Sequence, residues 1–407
     1  MKILHTSDWH LGKSLGSISR HPEQVAVLDE ISQIADNEKV DVVLIAGDLF
    51  DTFNPPVEAV ELFYRALKRL ANDGKRLVVA IAGNHDSPER IESPDPLARE
   101  CGIIFLGYPN TRVQTFTLPS GLSVTKSEEG FFEVIIPGQD HPLRVVTTPY
   151  ANERRLRTYL GNEDPKETLR KILEKRWKDT AEKHCDNHGI NILIAHLFVT
   201  SSTGERPAEP DDEKPILDIG GAQAVYTENL PANVQYVALG HLHRRIPMSA
   251  GNTPAIYSGS PISYSLSEAE QTKSVTIVDL ALGTPAKCSQ ITLSSGRTVV
   301  RKTFDSVQDA VTWLEKNPQT LVELTIQSDT YLTADERKAI NSAHDGIVDI
   351  IPIVKNAQAG LTEPVSAVSL SKSVDELFKD FFKHEYQQEP NEELLSLLRE
   401  VMKAEEE

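Results

Sequence analysis

Cysteine is scarce in this chain. Its 407 residues include three, Cys101, Cys185 and Cys288, with no Cys-x-x-Cys. An odd, widely spaced set is no disulfide framework and predicts reduced thiols in a cytoplasmic protein. No run of 18 apolar residues occurs, so no membrane span is expected. The chain passes from Met1-Lys2 straight into a strand-like run and Asp8, which predicts no signal peptide. No Gly-x-x-x-x-Gly-Lys-Ser/Thr phosphate loop is present, so any ATP dependence must come from another chain. Positive charge is also short. Forty-two Lys and Arg face 60 Asp and Glu, a net charge of −18. That balance argues against a nonspecific nucleic-acid coat protein. It leaves room for a nuclease whose bound metals and local basic face attract phosphate.

What is present reads as a globular protein of two or three domains, with 39% hydrophobic and 25% charged residues. Residues 1–280 alternate strand-like runs with amphipathic helices, expected at 24–35, 57–71 and 166–184, which is the α/β pattern. Residues 112–144 alternate apolar and polar side chains with turn signals and predict antiparallel strands inserted in the sheet. Residues 204–215 are acidic and unpatterned, an expected surface loop. Strand-like stretches at 274–279 and 288–293 close the first domain, and 281–355 contain a small β-α-β-α-β unit. A linker with Gly360 and Pro364 is expected over 356–372, then two amphipathic helices over 373–407. Ser373 and Glu376 form a capping box there, and Phe378, Phe381, Phe382, Leu394, Leu397 and Leu398 lie on apolar stripes.

Five short polar segments follow strand-like runs. They are Asp8-Trp9-His10, Gly47-Asp48-Leu49-Phe50-Asp51, Gly83-Asn84-His85-Asp86, Ala195-His196 and Gly240-His241-Leu242-His243. Open α/β sheets build active sites past the carboxyl ends of their strands. Asp8 and His10, two apart, face one side and can reach one ion. Carboxylate plus imidazole suits manganese, iron or zinc better than calcium. Asp48 has two oxygens and can bridge two ions about 3.5–4 Å apart. Asp51 is expected to orient ligands. Asn84 offers a neutral carbonyl oxygen. His85 is expected to stay off the metals, where it can stabilise developing charge or protonate a leaving oxygen. Asp86 is expected to accept a hydrogen bond from His85 and fix its tautomer. His241 and His243 point the same way, and Gly240 allows close backbone approach. Each segment alone also reads as an ordinary turn or a satisfied core histidine. Five together read as a metal site.

This order of motifs resembles the calcineurin-like metallophosphoesterases over roughly residues 1–280. Residues 5–12, 236–243 and 258–262, followed by Lys273-Ser274-Val275, are similar to the bacterial SbcD-type nuclease subunits. The small unit and the C-terminal helices extend that likeness over nearly the whole chain. The resemblance implies an α/β fold, a β-sandwich flanked by helices (α/β/β/α), with a small α/β DNA-capping domain over 281–355 and a partner-binding helical segment over 373–407. It implies two divalent ions, manganese by preference. One would be held by Asp8, His10, Asp48 and His243, the other by Asp48, Asn84, His196 and His241, with His85 catalytic. It implies a 3′-to-5′ double-strand exonuclease and single-strand or hairpin endonuclease. The implied partners are an SbcC-like SMC-type ATPase in a heterotetramer, DNA ends and hairpins, and a second copy of this chain through helices near 57–71 and 88–100. The alternative is a small-substrate phosphodiesterase or phosphoprotein phosphatase on the same scaffold. Serine/threonine phosphatases usually carry arginine after the second aspartate of the Gly-Asp segment, where this chain has Thr52-Phe53.

Overall fold

Val42–Ala46, Leu77–Ile81 and Ile190–His196 are apolar runs in which every residue is buried. Such strands belong inside a parallel sheet covered on both faces. The computed structural model describes residues 1–157, 165–202, 225–328, 330, 332–354, 378, 379, 390, 394 and 395. One unit comprises Met1–Gln327 and Leu332–Ile353, the other Ser328–Tyr331 and Val354–Glu407. The linker expected at 356–372, the loop at 204–215 and nearly all of the helices expected at 373–407 lie outside the described residues.

The larger unit is a two-sheet sandwich. The six-stranded sheet runs Lys287–Thr292, Ser274–Asp279, Lys2–Thr6, Val42–Ala46, Leu77–Ile81, Ile103–Leu106. Its last four strands are parallel. The eight-stranded sheet runs Ile246–Ala250, Thr253–Tyr257, Tyr236–Gly240, Ile190–His196, Leu143–Thr148, Phe131–Ile135, Ser123–Glu128, Phe116–Thr117. The inner faces meet through side chains such as Val42, Val79, Ile104, Phe132, Val145, Ile192 and Tyr236. Helices His21–Asn37 and Val57–Ala71 cover the outer face of the first sheet, and Pro165–His184 that of the second. The result is the α/β/β/α sandwich.

Val57–Ala71 shows how sequence makes a layer. Leu62, Phe63, Leu67 and Leu70 recur at helical spacing and are buried against the sheet. Each contributes roughly 1.5–3 kcal/mol by leaving water. The helix ends at Asn72, whose φ of 46° places it in the left-handed region that stops helices. Phe63→Ala would open a cavity at the centre of this layer.

The structure refines two expectations and corrects one. The antiparallel strands expected over 112–144 do lie in a sheet, where they build its outer edge, from Phe116–Thr117 to Phe131–Ile135. The helix expected over 88–100 is two short ones, Pro88–Glu92 and Asp95–Arg99. Pro94 lacks an N–H and cannot continue the first. The sandwich runs past residue 280, as the strand expected at 288–293 requires, because Lys287–Thr292 pairs along its whole length with Ser274–Asp279. The small sheet that follows has the order Thr298–Phe304, Thr320–Ser328, Ile347–Val354, with helices Val307–Lys316 and Ala334–Ala343. Its core includes Leu314, Val322, Leu324, Ile326 and Ile340. Among the described residues no helix is long and apolar enough to cross a membrane.

Candidate metal centre

The carboxyl ends of strands from both sheets converge on one buried spot. Asp8, His10, Asp48, His196 and His241 have no exposed surface there, and His85 and His243 are all but buried. Ligand atoms of Asp8, His10 and Asp48 lie within 4.8 Å of one another, as do those of Asp48, His196 and His241. Asp48 belongs to both sets. Its Oδ2 stands 3.3 Å from His196 Nε2 and 3.7 Å from His10 Nε2. His243 Nε2 is 3.0 Å from His10 Nε2, and Asn84 Oδ1 is 2.9 Å from His196 Nε2. All seven expected ligand residues are therefore brought together. A third set, His10, Asp51 and His85, adjoins them.

The surroundings aim these groups. His196 Nδ1 is 2.8 Å from the Ala46 carbonyl. A carbonyl only accepts, so Nδ1 carries a proton and Nε2 is the ring nitrogen turned to the centre. His243 Nδ1 faces the Glu268 carboxylate at 3.1 Å to the same effect. Metal-ligating histidines are typically oriented in this way. Asp8 accepts from Ser7 Oγ and, at 2.9 Å, from the His241 backbone N–H.

Backbone conformation is unusual at the same residues. Asp8, His10, Asp48 and His241 have φ of 53°, 41°, 47° and 112°. Such conformations cost on the order of 1–3 kcal/mol each and persist only where the surroundings impose them. Two glycines are required by close approach. A Cβ on Gly83 would lie 2.1 Å from Asp48 Oδ1, and one on Gly240 would lie 1.8 Å from the Ala46 carbonyl oxygen.

Electrostatics show what the centre suits. Burial alone would push His196 down, but Asp48 and Asp8 outweigh it and raise its imidazole to about 9. Burial would likewise raise Asp48, yet the imidazoles of His196, His85 and His10 hold it well below the usual carboxylate range. Burial holds Asp8 above that range. Asp48 Oδ2 is buried and makes no hydrogen bond. A buried oxygen without a donor, between inward-facing imidazoles and beside a second carboxylate, fits divalent cations. The donor set has no thiolate.

Asp86 takes a different role from the one expected. Its carboxylate accepts backbone N–H groups from Gly83, Leu49 and Phe50 at 2.8, 3.1 and 3.0 Å. It thus ties the 83–86 turn to the 48–51 turn, and the group on His85 Nδ1 is the Asp51 carbonyl at 2.8 Å. Asp51 Oδ1 lies 3.6 Å from His10 Nδ1, in keeping with an orienting role. Sequence reasoning missed Glu268, which sits in the short Leu266–Glu268 turn and binds Lys273 as well as His243. It also missed Arg155, whose guanidinium donates to the carbonyls of Gly83 and Asp86. Neither has a local signal of reaching the centre, since His243 lies 25 residues from Glu268 and Gly83 lies 72 residues from Arg155.

The fold and the centre define a class. Residues 1–245 match the family described as calcineurin-like phosphoesterase. The chain is 35% identical to the SbcD component of the nuclease SbcCD from Bacillus subtilis (strain 168) over 408 residues, 98% of this chain and 97% of that one. It is 35% identical to the protein of the same name from Rhodobacter capsulatus over 290 residues, 70% of this chain and 67% of that one. A solved dimetal phosphatase from Danio rerio is 12% identical, with a TM-score of 0.38 over 73% of this chain and 99% of that one. The chain belongs to the calcineurin-like phosphoesterases and, within them, to the SbcD family.

Proposed function

We propose that the chain is the manganese-dependent DNA nuclease subunit of an SbcCD-type complex, acting in DNA repair and recombination. The observation that carries the reading is Asp48, shared between two ligand sets, in a chain 35% identical to a nuclease subunit over 98% of its length. Asp8, His10, Asp48 and His243 would hold one ion, and Asp48, Asn84, His196 and His241 the other. When bound, two such ions neutralise phosphoryl oxygens and lower the pKa of a nucleophilic water. The protein supplies the rest. Asp48 fixes the spacing of the two ligand sets. The Asp51 carbonyl keeps the proton of His85 on Nδ1, so Nε2 is the atom that gains and gives a proton. As imidazolium, His85 stabilises phosphoryl charge and protonates the leaving 3′ oxygen. The depth of the centre keeps bulk water from these groups.

Family membership supports 3′-to-5′ exonuclease action on duplex ends and endonuclease action on single strands and hairpins. It also supports pairing with an SbcC-like ATPase in a heterotetramer, docked through residues 373–407. Manganese-supported cutting of hairpin DNA, compared with turnover of a cyclic nucleotide and a phosphopeptide, tests the substrate. Turnover of either small substrate with intact hairpin DNA would move the assignment to the phosphodiesterase or phosphatase alternative. Co-purification with the ATPase after deletion of 373–407 would remove the docking role.

A further inference from the structure

Beside the metal centre lies a cleft of about 660 Å³, lined in part by Phe53, Asn84, Tyr108, Arg154, Arg155 and Arg157. Its walls are the segments that carry the centre. Asn84 touches His196, and Phe53 lies two residues past Asp51, whose carbonyl holds His85. Arg155 is buried; it donates to Gly83 and Asp86 carbonyls at 2.8 and 2.7 Å and lies 4.8 Å over the Tyr150 ring. That guanidinium fastens the cleft to the catalytic turn.

Arg154 and Arg157 are different, because both are exposed. Arg157 sits 5.6 Å over the Tyr108 ring, and the Tyr108 hydroxyl in turn donates to Glu89. The lining holds three guanidiniums against the single carboxylate of Glu89. That is a cationic wall on a chain of net charge −18. Phe53, on the same cleft, leaves 47% of its surface in water. Exposed guanidiniums beside an exposed aromatic face are the chemistry that holds single-stranded nucleic acid, the former taking phosphate and the latter stacking a base.

We propose that this cleft is the subsite for the unpaired nucleotide next to the scissile phosphate, its base stacked on Phe53 and its flanking phosphate held by Arg154 and Arg157. The inference rests on the nuclease reading above. A base inside a duplex has both faces stacked and cannot offer one to Phe53, so the strand must enter frayed or single. The cleft thereby favours single strands and opened ends over intact duplex.

The test uses the full chain with manganese, a fluorescein-labelled oligodeoxythymidine, and bis(para-nitrophenyl) phosphate as a diester without a nucleobase. Phe53→Ala should weaken oligonucleotide binding by about 5- to 100-fold, and Phe53→Tyr should restore it. Its loss on oligonucleotide cleavage should exceed its loss on the small diester at least several-fold. Arg154→Ala/Arg157→Ala should flatten the log-log salt dependence of binding by about 1.4. Wild-type protein that cuts the oligonucleotide while all three variants bind it equally well would overturn the subsite alone. Equal losses on both substrates would also overturn it, since Phe53 would then act through the centre. Wild-type protein that turns over the small diester but leaves the oligonucleotide uncut would overturn the nuclease reading itself.

Discussion

Asp48 Oδ2, buried and with no hydrogen bond, lies 3.3 Å from His196 Nε2 and 3.7 Å from His10 Nε2. One side chain thus serves both ligand sets. Asp48→Ala should leave both ions weakly held, because each set loses its shared oxygen and the two aspartates no longer balance the charge. Elemental analysis after dialysis checks this. Two full equivalents retained would show that Asp48 does not bridge.

His85 stands at the edge of the same cluster, its ring 4.8 Å from that of His10. Its Nδ1 is taken by a carbonyl, which suits proton transfer at Nε2. His85→Ala should keep two metal equivalents and lose phosphodiester cleavage by about a hundredfold or more. If metal leaves with the imidazole, His85 is a ligand instead.

Glu268 is buried with its carboxylate against His243 Nδ1, Lys273 Nζ and the Tyr264 N–H. Burial would raise it, yet Lys273 and His243 hold it well below the usual range. Glu268→Gln removes the charge that keeps His243 turned inward. Metal affinity should fall about 10- to 100-fold by calorimetric titration. The loss should be partly restored in Glu268→Gln/Lys273→Met, which no longer buries a lone ammonium. An unchanged affinity in the single variant would make Glu268 a packing residue only.

His5 contributes to the acid dependence of the fold. It is fully buried on the Lys2–Thr6 strand, 2.8 Å from the Tyr236 hydroxyl, and burial lowers its pKa from 6.5 to about 3. The unfolded chain therefore binds a proton that the folded chain refuses between those values. Stability from His5 is present above pH 6.5 and is lost as pH falls toward 3. The loss is about 1.4 kcal/mol by one pH unit below 6.5. His5→Asn keeps a polar atom facing Tyr236 and should lessen by that amount the fall in unfolding free energy, read from denaturant titrations, between neutral pH and about pH 5.5. Parallel pH curves for both proteins would exclude His5 as the source.

Legibility followed distance along the chain. The apolar strands and the polar residues capping them were readable, because strand, turn and ligand are neighbours in sequence. Asp8, Asp48, Asn84 and His241 stand where that reading puts them, at strand ends. The order of the sheets was not readable. Lys2–Thr6 lies between strands beginning at Val42 and Ser274, a choice made by packing of the finished core. The left-handed backbone at Asp8, His10 and Asp48 breaks local preference and gives no signal in residue type beyond aspartate's tolerance of it. The partners of the histidines, Ala46 for His196 and Glu268 for His243, are 150 and 25 residues away. Sequence spacing therefore assigned Asp86 to its neighbour His85, when the three N–H donors it serves include two from residues 49 and 50.

Asp86 supplies the sharpest separation of structure from chemistry. Its carboxylate joins two turns through three backbone N–H groups, and those turns present Asp48 and Asn84 to the centre. Burial, and then the charge of Asp48, raise its pKa, so the three donors are what keep a carboxylate there tolerable. Asp86→Asn replaces one acceptor oxygen with an N–H₂ facing donors. Leaving one buried donor unsatisfied costs roughly 1–3 kcal/mol. Thermal stability should fall and metal affinity should fall with it, since Asp48 and Asn84 lose their shared anchor. Activity at saturating manganese should recover more fully than in His85→Ala. A catalytic Asp86 would give the opposite pattern, with unchanged melting and metal binding and a loss confined to kcat.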